Sequence, residues 1–193
     1  TRELQESVMS VRAQPVRNVF QRMPRLVREL ATSLGKEAKL VVRGEDTEVD
    51  KTIIEELSDP LTHMIRNSMD HGIEMAEERA AAGKAAEGTI TLAAEQRGGR
   101  IVITVGDDGR GLTRERLLAK ARARGLVAAV VKPTPDEIDA LIFHPGLSTA
   151  EAVTAVSGRG VGMDVVKQNV EALGGRIMVI SEPGKGARFT LLL

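Results

Sequence analysis

The chain contains no cysteine, no tryptophan and no tyrosine, and its aromatic side chains are Phe20, Phe143 and Phe189 alone. Without cysteine there are neither disulfides nor thiolate zinc sites, and histidines as widely spaced as His63, His71 and His144 make a poor metal cluster. A reducing, cytoplasmic setting fits that composition. So few aromatic rings argue against sequence-tolerant binding of single-stranded nucleic acid, which depends on stacking platforms. Charge of one sign is also missing: 27 Lys and Arg balance 27 Asp and Glu, so no net field favours nucleic acid or an acidic membrane. Apolar stretches such as LVAAVV before Lys132 are far too short to cross a bilayer, and Thr1 opens no signal pattern, so direct membrane insertion is not expected.

What is present is strong periodicity. Val19, Phe20, Met23, Leu26, Val27, Leu30 and Leu34 recur at three and four, which predicts one helix over Val16 to Leu34 with Gly35 as its stop. Lys39 to Arg43 reads as a short strand. Asp50 is a candidate cap for a helix carrying Ile53, Ile54, Leu57, Leu61, Met64 and Ile65, bent or restarted at Pro60 and ended by Gly72. Thr89 to Arg97 and Arg100 to Gly106 flank Gly98-Gly99, the composition of a two-residue hairpin turn. Helical patterns cover Arg114 to Arg124, Pro135 to Phe143 and Gly162 to Leu173, and the chain closes on two strands joined by PGKG. Strands that come mainly as antiparallel neighbours, with helices inserted between them, predict an α+β fold in one domain rather than a doubly wound sheet.

Three blocks carry chemistry. In a helix over Leu61 to His71, His63, Arg66, Asn67, Asp70 and His71 share a face, and two imidazoles, a guanidinium, a carboxamide and a carboxylate are too polar for a core. Asn67 can offer Mg2+ a neutral oxygen, and Arg66 can meet a phosphate through two N–H groups. DDGRG, Asp107 to Gly111, follows the apolar strand IVITV; Asp107 can accept the exocyclic N–H of adenine, and Gly109 and Gly111 let the backbone pass close to a planar base. Gly158, Gly160 and Gly162 form a G-x-G-x-G run ahead of a helix, whose free N–H groups can receive phosphate. The run lacks the βαβ opening of a dinucleotide fingerprint.

In this order the blocks resemble the ATP-binding catalytic domain of histidine kinases, most closely the chemotaxis (CheA) family within the Bergerat-fold, or GHKL, superfamily. The likeness spans nearly the whole chain, from PVRNVFQRMPRLVRELATSLGK through DPLTHMIRNSMDHGIE and DDGRGL to IFHPGLSTAEAVTAVSGRGVGMDVVK. It implies an N box around Asn67, a G1 box at Asp107 to Gly111, an F box around Phe143 and a G2 box at Gly158 to Gly162. The implied fold is a two-layer α/β sandwich, a mixed and largely antiparallel sheet covered by helices on one face. Residues 1–34 would be a helical lead-in and 35–193 the nucleotide-binding core of a single catalytic domain.

The resemblance further implies ATP and Mg2+ as cofactors. Arg66, Asn67, Asp70, His71, Asp107, Gly109, Gly111, Ser148, Thr149, Gly158, Gly160, Val161, Gly162 and Met163 would line the nucleotide, with Asn67 on the metal. Arg116 and Lys120 are candidate phosphate contacts, and Thr190 resembles a family threonine that holds a water near adenine. His63 stands where most sensor kinases carry a carboxylate, and is the candidate catalytic residue, orienting or deprotonating an incoming imidazole. The segment Ser148 to Gly162 would close over the nucleotide. Gly106 and Leu147 depart from the family pattern, and Ala13 stands in place of a usual methionine.

The implied activity is transfer of the γ-phosphoryl group to a histidine on a separate helical phosphotransfer domain, in the company of receptor and adaptor proteins of a signalling array. Nothing in the chain resembles that acceptor, and none of its own histidines is expected to present an exposed imidazole to the γ-phosphate. Two other readings are an ATPase conformational switch, as in chaperones and gyrases, and a module whose nucleotide only orders a protein-binding surface.

Overall fold

The computed structural model of the chain describes residues 12–147 and 162–193. Its order is β1 (Ala13–Pro15), α1 (Arg17–Phe20), α2 (Met23–Leu34), β2 (Ala38–Arg43), β3 (Glu48–Asp50), α3 (Lys51–Asn67), a π-helical turn (Ser68–Gly72), α4 (Ala76–Ala81), β4 (Gly88–Arg97) and β5 (Arg100–Asp107). There follow α5 (Arg114–Ala123), α6 (Pro135–Ala140), a 3-10 turn (Leu141–Phe143), α7 (Met163–Ala172), β6 (Arg176–Glu182) and β7 (Gly186–Leu192). Five strands form one sheet in the order β2-β4-β5-β7-β6. Only the β2–β4 pair is parallel, so the sheet is mixed and largely antiparallel, as expected.

Alternation along the strands separates the two faces. Ile90 and Leu92 of β4, Ile103 and Val105 of β5, and Phe189 and Leu191 of β7 are buried under helices that contribute Phe20, Val27, Leu57, Leu61, Met64 and Ile65 to the same core. The residues between them face the other side, where Met178 and Ile180 are exposed. Asp107 is in phase with Ile103 and Val105, so strand geometry alone delivers its carboxylate to the helix-covered side.

Several boundaries follow their residues. Gly35 ends α2 at φ 65°, a left-handed cap that a side chain resists. The Asp50 carboxylate accepts from Thr52 N at 2.8 Å and caps α3, an arrangement worth about 1 kcal/mol. Gly98 and Gly99, at φ 58° and 77°, make the hairpin turn, whose paired positive φ matches the twist of the strands.

Four expectations are corrected. The first helical pattern is two helices, because Pro24, in the first turn of α2, lacks the N–H that would continue the ladder from α1. Pro60 does not restart its helix: α3 runs through it with the ring buried in the core. The segment around Ala13 is a strand, antiparallel to β3 in a two-stranded ribbon, and Pro15 is tolerated because the ribbon has free edges. Finally, α-helical geometry stops at Asn67. The next turn is wider, with Ile73 N bonded to Ser68 O at 2.8 Å, so Asp70 and His71 leave the register that would have kept them on one face with His63 and Asn67.

Candidate functional site

The π turn exists at a contact between two backbones. Arg110 N donates to Gly72 O at 2.9 Å, and a Cβ built on Gly109 would overlap that same carbonyl. A Cβ on Gly72 would in turn lie 2.9 Å from Asp107 Oδ2. Helix end and strand end thus meet without side chains between them, which brings the block around Asn67 to the block that begins at Asp107. Gly111, at φ 76°, is pressed against β6: a Cβ there would stand 2.9 Å from both Ser181 Oγ and Glu182 O.

Asp107 Oδ1 accepts from Gly109 N at 2.9 Å. Burial pushes its carboxyl above the usual range, and the Gly109 N–H, the nearby Ser68 hydroxyl and the Ala187 N–H draw it back only in part. A desolvated acceptor strongly favours a donor from a ligand, and the exocyclic amine of adenine supplies one.

Asp108 points elsewhere. Its Oδ1 accepts from Thr89 N at 2.8 Å, and its Oδ2 accepts from Arg79 Nη2 at 3.1 Å. The two adjacent aspartates therefore differ in their partners, the first held by the Gly109 N–H and the second tied to Thr89 and Arg79.

His63, Arg66 and Asn67 are half-buried on the last turns of α3. Burial, and then the Arg66 charge, lower the His63 pKa despite Asp59, so its imidazole is neutral at physiological pH. Arg66 Nε is buried with no hydrogen-bond partner among the described residues, a donor whose chemistry suits an anionic oxygen. Among those residues no group of three or more His, Asp or Glu could hold a metal. The Asn67 amide oxygen is a neutral donor of the kind that can join nucleotide oxygens and waters around Mg2+.

A cationic flank adjoins them. Lys36 Nζ donates to Met69 O at 2.7 Å and Asp70 O at 3.0 Å, and Lys36, Lys120 and Arg110 all act on the exposed His71. Crowding of the His71 ring, offset by Asp70 and reinforced by these cations, lowers its pKa. Lys120 is half-buried and Arg116 exposed on α5. That helix is anchored by Arg114, which donates to both oxygens of Asp139 at 2.8 and 2.9 Å and to Ser181 O at 2.7 Å. Asp70 is exposed at the turn.

Gly162 is the N-cap of α7, with no side-chain cap among the described residues, and Met163 opens the helix. Phe143 meets Phe189 edge-on at 6.2 Å and ties the 3-10 turn to β7. Ser148, Thr149, Gly158, Gly160 and Val161 lie outside the described residues.

Two expectations fail. Thr190 pairs with Thr104 and lies between the buried Phe189 and Leu191, so period-two alternation turns it to the face opposite Asp107; the β7 residue that reaches Asp107 is Ala187, through its N–H. His71 and His144 are exposed, so shielding is not what keeps the chain's own imidazoles from phosphate. Residues that sequence reasoning missed are Lys36, the buried Glu74 and Arg79, and the half-buried Lys84. A charged residue in a short helical segment carries no periodic signal that would separate burial from solvent exposure.

The family model described as histidine kinase-, DNA gyrase B-, and HSP90-like ATPase matches residues 56–193. The chain is 56% identical over 193 residues to the chemotaxis protein CheA of Rhizobium meliloti (strain 1021), covering 100% of this chain and 26% of that protein. It is 56% identical over 192 residues to CheA of Salmonella typhimurium (strain LT2), covering 100% of this chain and 28% of the relative. The chain thus spans about a quarter of the length of these curated relatives. Among solved structures it is similar to the Acinetobacter baumannii histidine kinase AdeS, with a TM-score of 0.55 at 15% identity over 94% of this chain and 65% of that one. At that identity the likeness bears on the fold alone.

Proposed function

The chain belongs to the family of histidine kinase-, DNA gyrase B- and HSP90-like ATPases, and from that premise we propose that it is the catalytic domain of a chemotaxis-type histidine kinase. It binds Mg-ATP and transfers the γ-phosphoryl group to a histidine on a separate helical domain. The observation that carries this reading is the meeting of the Asn67 block with Asp107 through Gly72 and Gly109. The likeness over the full length of the chain to chemotaxis proteins supports it.

In this reading Asp107, with Gly109 and Gly111 beside it, accepts the adenine amine, and the helix N-terminus at Gly162 receives phosphate. Asn67 holds Mg2+, which when bound screens the charge of the phosphates. Arg66, Lys120 and Arg116 neutralise phosphate oxygens, and Asp70, His71 and Met163 border the same opening. Phosphoryl transfer asks for placement and charge stabilisation rather than covalent help from the protein. The attacking imidazole forms an N–P bond as the bond to the β-phosphate oxygen breaks, and neutral His63 orients the incoming ring or takes its proton. The segment 148–161 completes the site in this reading. Residues 1–193 act as one domain with 1–34 as its lead-in, in the cytoplasm, within an assembly of receptors and adaptors.

The competing reading, an ATPase switch, attacks with water, and the resemblance implies a carboxylate near Asn67 for that chemistry. His63 at that place favours transfer to imidazole. Phosphate release from ATP tests the choice: turnover is slow without a histidine acceptor, whereas rapid release by the chain alone supports the switch.

A further inference from the structure

We propose that Arg79 and Lys84, bridged by Glu74, are positioning residues that set adenine recognition by acting on one peptide group behind the pocket. The proposal rests on the nucleotide reading of Asp107. Arg79 is 1% exposed, and a guanidinium is so rarely buried that its partners define its purpose. It donates Nε to Ala85 O at 2.7 Å, Nη1 to Glu74 Oε1 at 3.0 Å and Asp108 O at 3.2 Å, and Nη2 to Asp108 Oδ2 at 3.1 Å. Lys84 Nζ donates to Glu74 Oε2 at 2.7 Å, Asp108 O at 3.0 Å and Gly109 O at 2.8 Å.

Two cations therefore converge on the carbonyl oxygen of Asp108. The N–H of that same peptide group is Gly109 N, which donates to Asp107 Oδ1 at 2.9 Å. Because the peptide is planar, its C=O and N–H orient together. Cations held on the oxygen fix the direction of the N–H and, by polarising the group, strengthen its donation. The carboxylate that faces adenine is thus aimed from behind by charges with no place in the pocket itself. Glu74 keeps the two cations together: burial alone would raise its carboxyl, but the hydrogen bond and charge of Lys84, with Arg79, hold it below the usual range.

Lys84→Met removes both loop contacts while leaving the Arg79–Glu74 pair. In the nucleotide-free variant, the Gly109 amide proton should move upfield, reporting a weaker bond to Asp107. Calorimetry should give ATP and ADP binding roughly tenfold weaker by the same factor for both, since the change acts at the base end. Preference for ATP over GTP should shrink, and Lys84→Arg should restore it. Lys84→Gln carries the same comparisons if Lys84→Met fails to melt cooperatively. Failure of the unsubstituted chain to bind ATP overturns the nucleotide reading and the proposal with it. If that chain binds ATP, and the variant keeps its Gly109 resonance, affinity and base preference, the positioning role alone is overturned.

Discussion

Gly72 and the Asp107 carboxylate stand so close that the smallest side chain on the glycine would lie 2.9 Å from Oδ2 and 3.1 Å from Oδ1. A helix terminus and a strand terminus, far apart in sequence, share this contact. Gly72→Ala should turn the Asp107 carboxylate out of place and weaken ATP binding, with a smaller effect on melting temperature. Gly109→Ala, whose Cβ would overlap the Gly72 carbonyl, should lower both. Calorimetry beside thermal melts checks the order of the two variants.

Asp107→Asn should cost about 1.5–3 kcal/mol of binding, the worth of a hydrogen bond to a charged group, or roughly ten- to over a hundredfold in affinity. Stability should respond differently. Burial raises the folded pKa of Asp107, so the carboxyl's contribution to folding is fullest below its unfolded pKa and is lost as pH rises through the folded value. Near neutral pH the asparagine variant should therefore melt no lower than the unsubstituted chain. A lower melting temperature there would show that the charge supports the fold.

His63 and His71 have lowered pKa values, so the unfolded state takes up protons first. Stability should fall as pH drops through the ordinary histidine range, between about pH 7.5 and about pH 5.5. Glu74, held below the usual carboxylate range, contributes stability above its unfolded pKa and loses it only as pH falls further, through the folded value. Replacing both histidines by glutamine should flatten the upper window and leave the lower one intact. Melts across pH resolve the two.

Arg114 is 24% exposed and Asp139 2% exposed, so Arg114→Met would strand a buried carboxylate. The expected loss is about 3 kcal/mol, the low end for a broken buried pair because the arginine keeps some solvent. Nucleotide affinity should drop as well, since the pair anchors the helix that carries Lys120. Denaturant unfolding with calorimetry checks both effects.

Much of this was readable in the residues. Period-two strands, the Gly98-Gly99 turn, the Asp50 cap and the glycine stop at Gly35 are local signals, and each matches the observed element. Where reading failed, nonlocal physics decided. The π turn arises because Gly72 must meet Arg110 and Asp107, partners that lie a strand pair away. Thr190 sits one residue off the core phase, and one residue is the whole difference between the two faces of a sheet. The buried Arg79 could not be told from an exposed one without its partners at Glu74 and Asp108.

Transfer itself is the most direct test of the account. The chain is incubated with γ-labelled ATP and Mg2+, with and without a helical domain bearing a phosphoacceptor histidine. Acid-labile label is expected on that domain, abolished by replacing its histidine and strongly reduced by Asp107→Asn, with little label on the chain itself. Efficient labelling of the isolated chain, or no transfer to any histidine domain from a chain that binds ATP, would contradict it.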